Sequence, residues 1–171
     1  GLIWLAGPVT GMVVQPFIGA LSDKTTTKYG KRRPYIFFGA LFASLALILF
    51  PNAANIANWA QSVMPFQLPV WTGLLIAALM VWVIDACVNA AQGQYRALIP
   101  DNMPVDQHSL ANSYLSFAIG IGSVIAAGTA PFLEKFCGYQ MSHTAQFVMA
   151  AIAFFGATIW TCMTIREVKK P

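Results

Sequence analysis

One long apolar segment with four polar side chains most strongly constrains the fold of this chain. It runs from Trp71 to Pro100 and is long enough to cross a bilayer as a helix. Its polar residues are spaced by four, three and four positions, so an α-helix places them on one face: Asp85, Asn89, Gln92 and Arg96. A charged side chain inside a membrane costs about 2.5 to 3.5 kcal/mol and therefore faces a bundle interior or a wet cavity. The segment predicts a transmembrane helix that lines a polar space.

The composition extends this prediction to the whole chain of 171 residues. Hydrophobic residues make up 57% and charged residues 9%, whereas soluble domains carry about 25% charged residues. The net charge of +4 does not indicate nucleic acid, because the basic residues form two short clusters between apolar segments, where membrane topology accounts for them. The three cysteines have no CxxC spacing and indicate neither a disulfide framework nor a zinc site. We therefore expect an all-α membrane protein embedded in the lipid bilayer, with no nucleic acid, metal or cofactor.

Five membrane spans are predicted from the alternation of apolar and polar segments. Their approximate ranges are 2–21, 35–50, 71–99, 110–133 and 144–165. Loop 22–34 carries five basic residues and the end of the chain a second basic cluster, so the positive-inside rule predicts that both are cytoplasmic. Segment 51–69 is uncharged, contains an amphipathic stretch around 56–64, and is expected on the outer side. Because Gly1 opens directly inside an apolar run, the chain is expected to be an internal fragment of a multi-pass protein.

Two of the spans are rich in small residues, which predicts close helix packing. Gly7 and Gly11 are four positions apart, the spacing that lets helix backbones approach closely in lipid. The fourth span carries Gly120, Gly122 and Gly128. Both spans also have a late Pro-Phe pair, and such weak internal symmetry is typical of transporters built from repeated helical units.

The basic loop and the third span together resemble a known superfamily. The sequence GALSD, residues 19–23, followed by YGKRRP, residues 29–34, resembles the loop between the second and third helices of the major facilitator superfamily. Its longer spacing, in SDKTTTKYGKRRP, and the preceding GPVTGMVVQP are similar to the plant sucrose transporters and related glycoside carriers, the glycoside-pentoside-hexuronide:cation symporters. The third span agrees, since an Asp eleven residues before an Arg in DACVNAAQGQYRALIPD is similar to their fourth helix. The resemblance implies a partial amino-terminal half of that helical bundle, with helices two to six of twelve.

This resemblance also implies a function, namely secondary active transport of a sugar or glycoside by proton-coupled alternating access. Asp85 is then the proton carrier, because burial disfavours the charged carboxylate. Arg96 keeps its charge and has several fixed hydrogen-bond donors. It can therefore bind sugar hydroxyls or change its ion-pair partner from one acid to another. Asn89 and Gln92 are further candidates for binding the sugar.

Each of these residues also has a structural alternative. Asp85 can form an ion pair with a residue of another helix, and Arg96 can extend to the membrane interface. Asn89 and Gln92 can simply hydrogen-bond neighbouring helices. The sequence leaves these alternatives open.

The loop residues are implied to form a gate. In the resembling proteins this loop makes charge contacts with the opposite half that hold the inner side closed, and such charges bias one of two conformational states. The residues that match are Asp23, Gly30, Lys31, Arg32 and Arg33. The alternative is that they fix the turn or the membrane topology only.

Two other functions remain open from the residues. A polytopic membrane enzyme needs clustered acids or metal-ligand spacing at one membrane face, and only one acid lies inside a predicted span, so we do not expect an enzyme. A passive facilitator on the same fold differs from a symporter only in that its transport of the solute is not coupled to an ion gradient. The lack of a second acid inside the spans favours protons over sodium as the coupling ion. The expected location is a plasma membrane or a bacterial inner membrane.

Overall fold

The chain folds entirely into helices over the part that the structure describes. We analysed a computed structural model that describes residues 5–138 and 142–165. Its α-helices are α1 (Ala6–Lys24), α2 (Arg33–Leu49), α3 (Ala53–Val63), α4 (Thr72–Asn102), α5 (His108–Cys137) and α6 (His143–Thr164). Short 3₁₀ turns at Phe50–Asn52 and Val105–Gln107 precede α3 and α5. The all-α prediction is confirmed.

Four helical segments among the described residues are long and apolar enough to span a membrane. They are Arg33–Val63, Thr72–Asn102, Val105–Phe136 and His143–Thr164. Helix α1 is not one of the four, although it coincides with the first predicted span; residues 2–4 of that span lie outside the described part. The division into five spans therefore stays a prediction.

The helical segment at the second predicted span continues beyond residue 50. A 3₁₀ turn containing Pro51 joins α2 to α3, so the apolar helical segment continues to Val63. Pro51 lacks the N–H that would continue the α-helical ladder, which accounts for a turn at this position. The amphipathic stretch predicted around 56–64 is helical as α3, which packs against the start of α4.

Helix α4 is the centre of the described bundle, because α1, α2 and α3 all pack against it. The contact with α2 is the tightest: a Cβ added at Gly39 would lie 2.9 Å from the carbonyl oxygen of Cys87 and 3.1 Å from the Cβ of Ala91. Only glycine permits this backbone approach. Helix α6 packs on α2, where the Ser44 hydroxyl donates to the Ala151 carbonyl at 3.3 Å.

The predicted close packing of small residues is found at only one of the named glycines. A Cβ at Gly11 would lie 3.1 Å from Oδ1 of Asn89, so α1 and α4 do meet closely there. Positions Gly7, Gly120, Gly122 and Gly128 face no side chain or neighbouring helix within 4 Å among the described residues. Helix α5 accordingly has no buried residue within the described part.

The third predicted span also ends later than expected. Helix α4 continues through Pro100 to Asn102, where the side-chain amide of Asn102 donates to the Leu98 carbonyl at 3.0 Å. The predicted end at residue 99 would have left Asp101 in a loop. The extra turn instead gives the Asp101 carboxylate a fixed position on the helix.

Candidate functional site

A dense polar cluster surrounds the Arg32 side chain where α1, α2 and α4 meet. Its Nη2 lies 2.7 Å from Oδ1 of Asp23, and its Nε donates to Oδ2 of Asp101 at 2.9 Å. Its Nη1 donates to the Ser22 hydroxyl at 2.6 Å and to Oε1 of Gln94 at 3.0 Å. The Arg32 side chain is 9% exposed. A planar guanidinium with several fixed donors can bind four partners at once, which a lysine ammonium cannot match geometrically.

Lys31 adds a second cation to the same cluster. Its Nζ lies 3.3 Å from the Asp101 carboxylate and 3.7 Å from that of Asp23. We call these six residues the loop cluster: Ser22, Asp23, Lys31, Arg32, Gln94 and Asp101. Two cations and two carboxylates balance within it, and Asp23, with 58% of its side chain exposed, lies at its outer edge.

The turn before Lys31 explains how both cations reach this position. Gly30 has φ of 104°, a left-handed conformation that favours glycine, and its N–H donates to the Thr27 carbonyl at 3.1 Å. Arg33 begins α2 and is half-buried, and Pro34 follows in the first turn, where its missing N–H needs no partner.

The loop cluster contains three residues that the sequence did not identify. Ser22, Gln94 and Asp101 lie on α1 and α4, and the loop cations contact them within this chain. All three lie within the motifs that carry the family resemblance, and the seven-residue spacing of Gln94 and Asp101 places both on one side of a helix. The contacts expected with the opposite half involve residues outside this chain and stay a prediction.

The second site is the polar face of α4, which we call the membrane stripe: Asp85, Asn89, Gln92 and Arg96. Within it, Asn89 is fixed by α1. Its Oδ1 accepts from Nε2 of Gln15 at 2.8 Å, and its Nδ2 donates to the Thr10 hydroxyl at 3.1 Å and to the backbone carbonyl of Asp85 at 2.9 Å. Asn89 thus bonds a neighbouring helix, which was the structural alternative for this residue.

Small residues make that contact possible. A Cβ at Gly93 would lie 3.3 Å from Cγ of Gln15, close enough that the glutamine would have to move. Thr10 and Gln15 were not recognised in the sequence as partners of the stripe. Their signal was that both are polar residues inside an apolar segment, where such groups find hydrogen-bond partners.

The other three residues of the stripe have no side-chain partner within the described structure. Asp85 and Gln92 are half-buried and Arg96 is exposed. Their side chains form no hydrogen bond or ion pair with any described residue, and Asp85 and Arg96 are about 16 Å apart along the helix at 1.5 Å per residue. These groups are therefore available to a solute, a proton or the remainder of the protein. No group of three potential metal ligands occurs among the described side chains.

Comparisons with known proteins agree on one family. A family model described as MFS/sugar transport protein matches residues 1–170. The sucrose transport protein SUC3 of Arabidopsis thaliana is 33% identical over 182 aligned residues, which cover 98% of this chain and 30% of that protein. The general alpha-glucoside permease of Schizosaccharomyces pombe is 30% identical over 173 residues, 99% of this chain and 31% of the permease.

A third relative, the sucrose transport protein SUT4 of Oryza sativa subsp. indica, is 35% identical over 177 residues, 95% of this chain and 29% of that protein. The chain thus spans about 30% of the length of these curated relatives. No solved structure matches the chain.

Proposed function

The chain belongs to the MFS/sugar transport protein family, and from this premise we propose that it takes part in moving a sugar or glycoside across a membrane by proton-coupled alternating access. The relatives are named as sucrose transport proteins and an alpha-glucoside permease, which supports a sugar as the solute. The family is one of transporters and not of enzymes, so the polytopic enzyme considered from the sequence is set aside.

The membrane stripe is the proposed site of the solute and the proton. The observation that carries this proposal is that Asp85, Gln92 and Arg96 share one face of the central helix and bond no described residue. The Asp85 carboxylate is the group on this face that can gain and lose a proton during transport. A guanidinium and an amide on the same face supply donors and acceptors for sugar hydroxyls. Asn89 holds the stripe against α1 and is proposed to orient it.

The loop cluster is the proposed gate on the inner side. Arg32 joins the end of α1 to the end of α4, so these ends move together while its bonds persist. Asp23 and Lys31 are the more exposed members and are proposed to meet the opposite half in the inward-closed state. Contacts present in one state and absent in the other bias the equilibrium between the two. We place loop 22–34 in the cytoplasm of a multi-pass protein because of its basic residues.

The test is uptake into vesicles by the full reading frame that carries this sequence. Asp85→Asn should abolish accumulation of the sugar against its gradient while sparing exchange of sugar across the membrane, because the neutral amide cannot carry a proton. The matched control is Asp106→Asn, which removes an exposed acid at the 3₁₀ turn before α5. Concentrative uptake by Asp85→Asn equal to that of the control would remove Asp85 from the mechanism.

The same vesicles distinguish a symporter from a passive facilitator. Collapsing the proton gradient with a protonophore should stop accumulation in the unmodified protein, whereas collapsing a sodium gradient should not. Uptake that never exceeds the external concentration under any ion gradient would identify a facilitator.

A further inference from the structure

An apolar groove lies on the surface of the bundle between α1 and α2, with α4 as its floor. Its volume is about 280 Å³. The walls include Val14 and Ile18 of α1 and Phe38 and Phe42 of α2, and Ala86 and Ala90 form part of the floor. The rings of Phe38 and Phe42 are 54% and 53% exposed. Because the alanines are short and the wall side chains are long, the groove has the shape of an open channel that fits an extended apolar chain.

The groove covers the depth of one membrane leaflet. Helix α2 begins at Arg33, and Phe42 lies nine residues further, or about 14 Å at 1.5 Å per residue. This distance is about half of the ~30 Å hydrocarbon core of a bilayer. With Arg33 and the charged loop at the membrane surface, the loop end of the groove is at the level of lipid headgroups and the far end is near the middle of the membrane.

Two lysines without a carboxylate partner among the described residues lie in the chain segment next to the loop end of the groove. Tyr35 lines the groove there, and its hydroxyl is 2.7 Å from that of Thr25, which ties the loop to the mouth of the groove. Lys24 and Lys28 flank Thr25 in the chain and are both exposed. Among the described residues neither lysine pairs with a carboxylate, and Lys28 is 5.3 Å from the ring centroid of Tyr29.

The neighbouring cations differ in this respect. Lys31 and Arg32 are paired with the carboxylates of Asp23 and Asp101 in the loop cluster. The charges of Lys24 and Lys28 are thus available to a partner outside the loop cluster.

We propose that this groove binds a phospholipid with an anionic headgroup, with one acyl chain between α1 and α2 and the headgroup on Lys24 and Lys28. An apolar channel that ends in basic residues at headgroup depth matches both parts of such a lipid. A free phosphate would not occupy the apolar channel. A zwitterionic lipid has no net negative charge for the two lysines to bind.

Native mass spectrometry of the full-length protein tests the proposal. The protein is purified in detergent and mixed with equal amounts of phosphatidylglycerol and phosphatidylcholine, and the bound lipids are counted. The unmodified protein should retain phosphatidylglycerol preferentially. Replacing both lysines, Lys24→Gln with Lys28→Gln, should remove this preference, with about a fivefold loss of phosphatidylglycerol affinity for each lysine. Lys135→Gln, which removes an exposed lysine at the end of α5, should leave the preference unchanged.

A second variant tests the channel. Ala90→Leu fills the floor and should lower retention of both lipids, whereas Ala78→Leu, on the same helix but not lining the groove, should not. Equal retention of the two lipids by the unmodified protein overturns the proposal, as does unchanged phosphatidylglycerol retention in the double lysine variant. Absence of any tightly held lipid also overturns it and indicates that another helix of the longer protein occupies the groove. The lysines are exposed, so their variant remains interpretable even if Ala90→Leu fails to fold.

Discussion

The loop cluster and the membrane stripe are both polar, and both involve α4. They differ in how many of their side chains have hydrogen-bond partners within the described bundle. In the loop cluster Gln94 is 1% exposed and Arg32 bonds four residues. In the stripe, among the residues that the structure describes, only Asn89 bonds another helix, and Arg96 is exposed. Gln92 and Gln94 show the contrast most clearly, since two residues of helix place them about 200° apart. The difference teaches that polar residues of one membrane helix can either be paired within the described bundle or keep their hydrogen-bonding groups available to a solute or to the rest of the protein.

The largest effect is expected from removing the centre of the loop cluster. Arg32→Ala leaves two carboxylates, Ser22 and Gln94 without their shared donor, and breaking a largely buried ion pair destabilises a protein by about 3 kcal/mol or more. The midpoint of thermal unfolding of the purified full-length protein should fall clearly. Lys135→Ala is the control for loss of one exposed cation, and an equal shift in both variants would show that Arg32 does not hold the helices together.

A smaller effect is expected when one member of the cluster is removed without loss of charge. Gln94→Ala leaves Arg32 and Ser22 each with one partner fewer and a small cavity, for a loss of about 2 kcal/mol. Gln92→Ala is a closely matched control, because the same change is made two positions away in the stripe. Thermal unfolding should show a larger loss of stability for Gln94→Ala than for Gln92→Ala. An equal loss of stability would contradict the distinction between residues with and without partners in the described bundle.

The contact between the stripe and α1 is expected to contribute less. Gln15→Ala removes the donor to Asn89, and interhelical hydrogen bonds in membranes are worth about 0.6 kcal/mol on average. The unfolding midpoint should fall slightly, and the uptake rate should fall as well, because Asn89 keeps only its bond to Thr10 on α1. Gln67→Ala, in the exposed loop before α4, provides the baseline. An uptake rate unchanged from that baseline would show that Asn89 needs no support from Gln15.

The smallest effect on stability is expected at the exposed end of the stripe. Arg96→Lys should shift the free energy of unfolding by no more than about 0.5 kcal/mol, as exposed substitutions do. It should nevertheless raise the KM for the sugar about tenfold, because lysine lacks the fork of donors and loses a charged hydrogen bond. Transport kinetics in vesicles give the KM. A changed stability with an unchanged KM would make Arg96 a structural residue.

The sequence predicted features that depend on spacing along one helix, and missed those that depend on pairing between helices. The common face of Asp85 and Arg96 follows from the helical period alone. The partners of Arg32 do not, because Ser22, Gln94 and Asp101 are 10, 62 and 69 positions away in the chain.

The ends of the helices were also predicted imperfectly, for a physical reason. The third span was expected to end near residue 99, whereas α4 continues through Pro100 to Asn102, and Pro51 gives a 3₁₀ turn from which a new helix begins. A proline removes one backbone donor, but the packing of the surrounding helix decides whether the chain turns.

The two attachments between α1 and α4 have a mechanical consequence. Gln15 binds Asn89, and Ser22 binds Gln94, at levels separated by about 7.5 Å along α4. Two helices that are joined at one level can rotate about that contact. Two helices that are joined at two levels cannot rotate in this way and form a rigid pair. Any conformational change that opens a path on one side of the membrane must then move α1 and α4 together as one rigid body. The hinge of that movement must lie elsewhere in the protein.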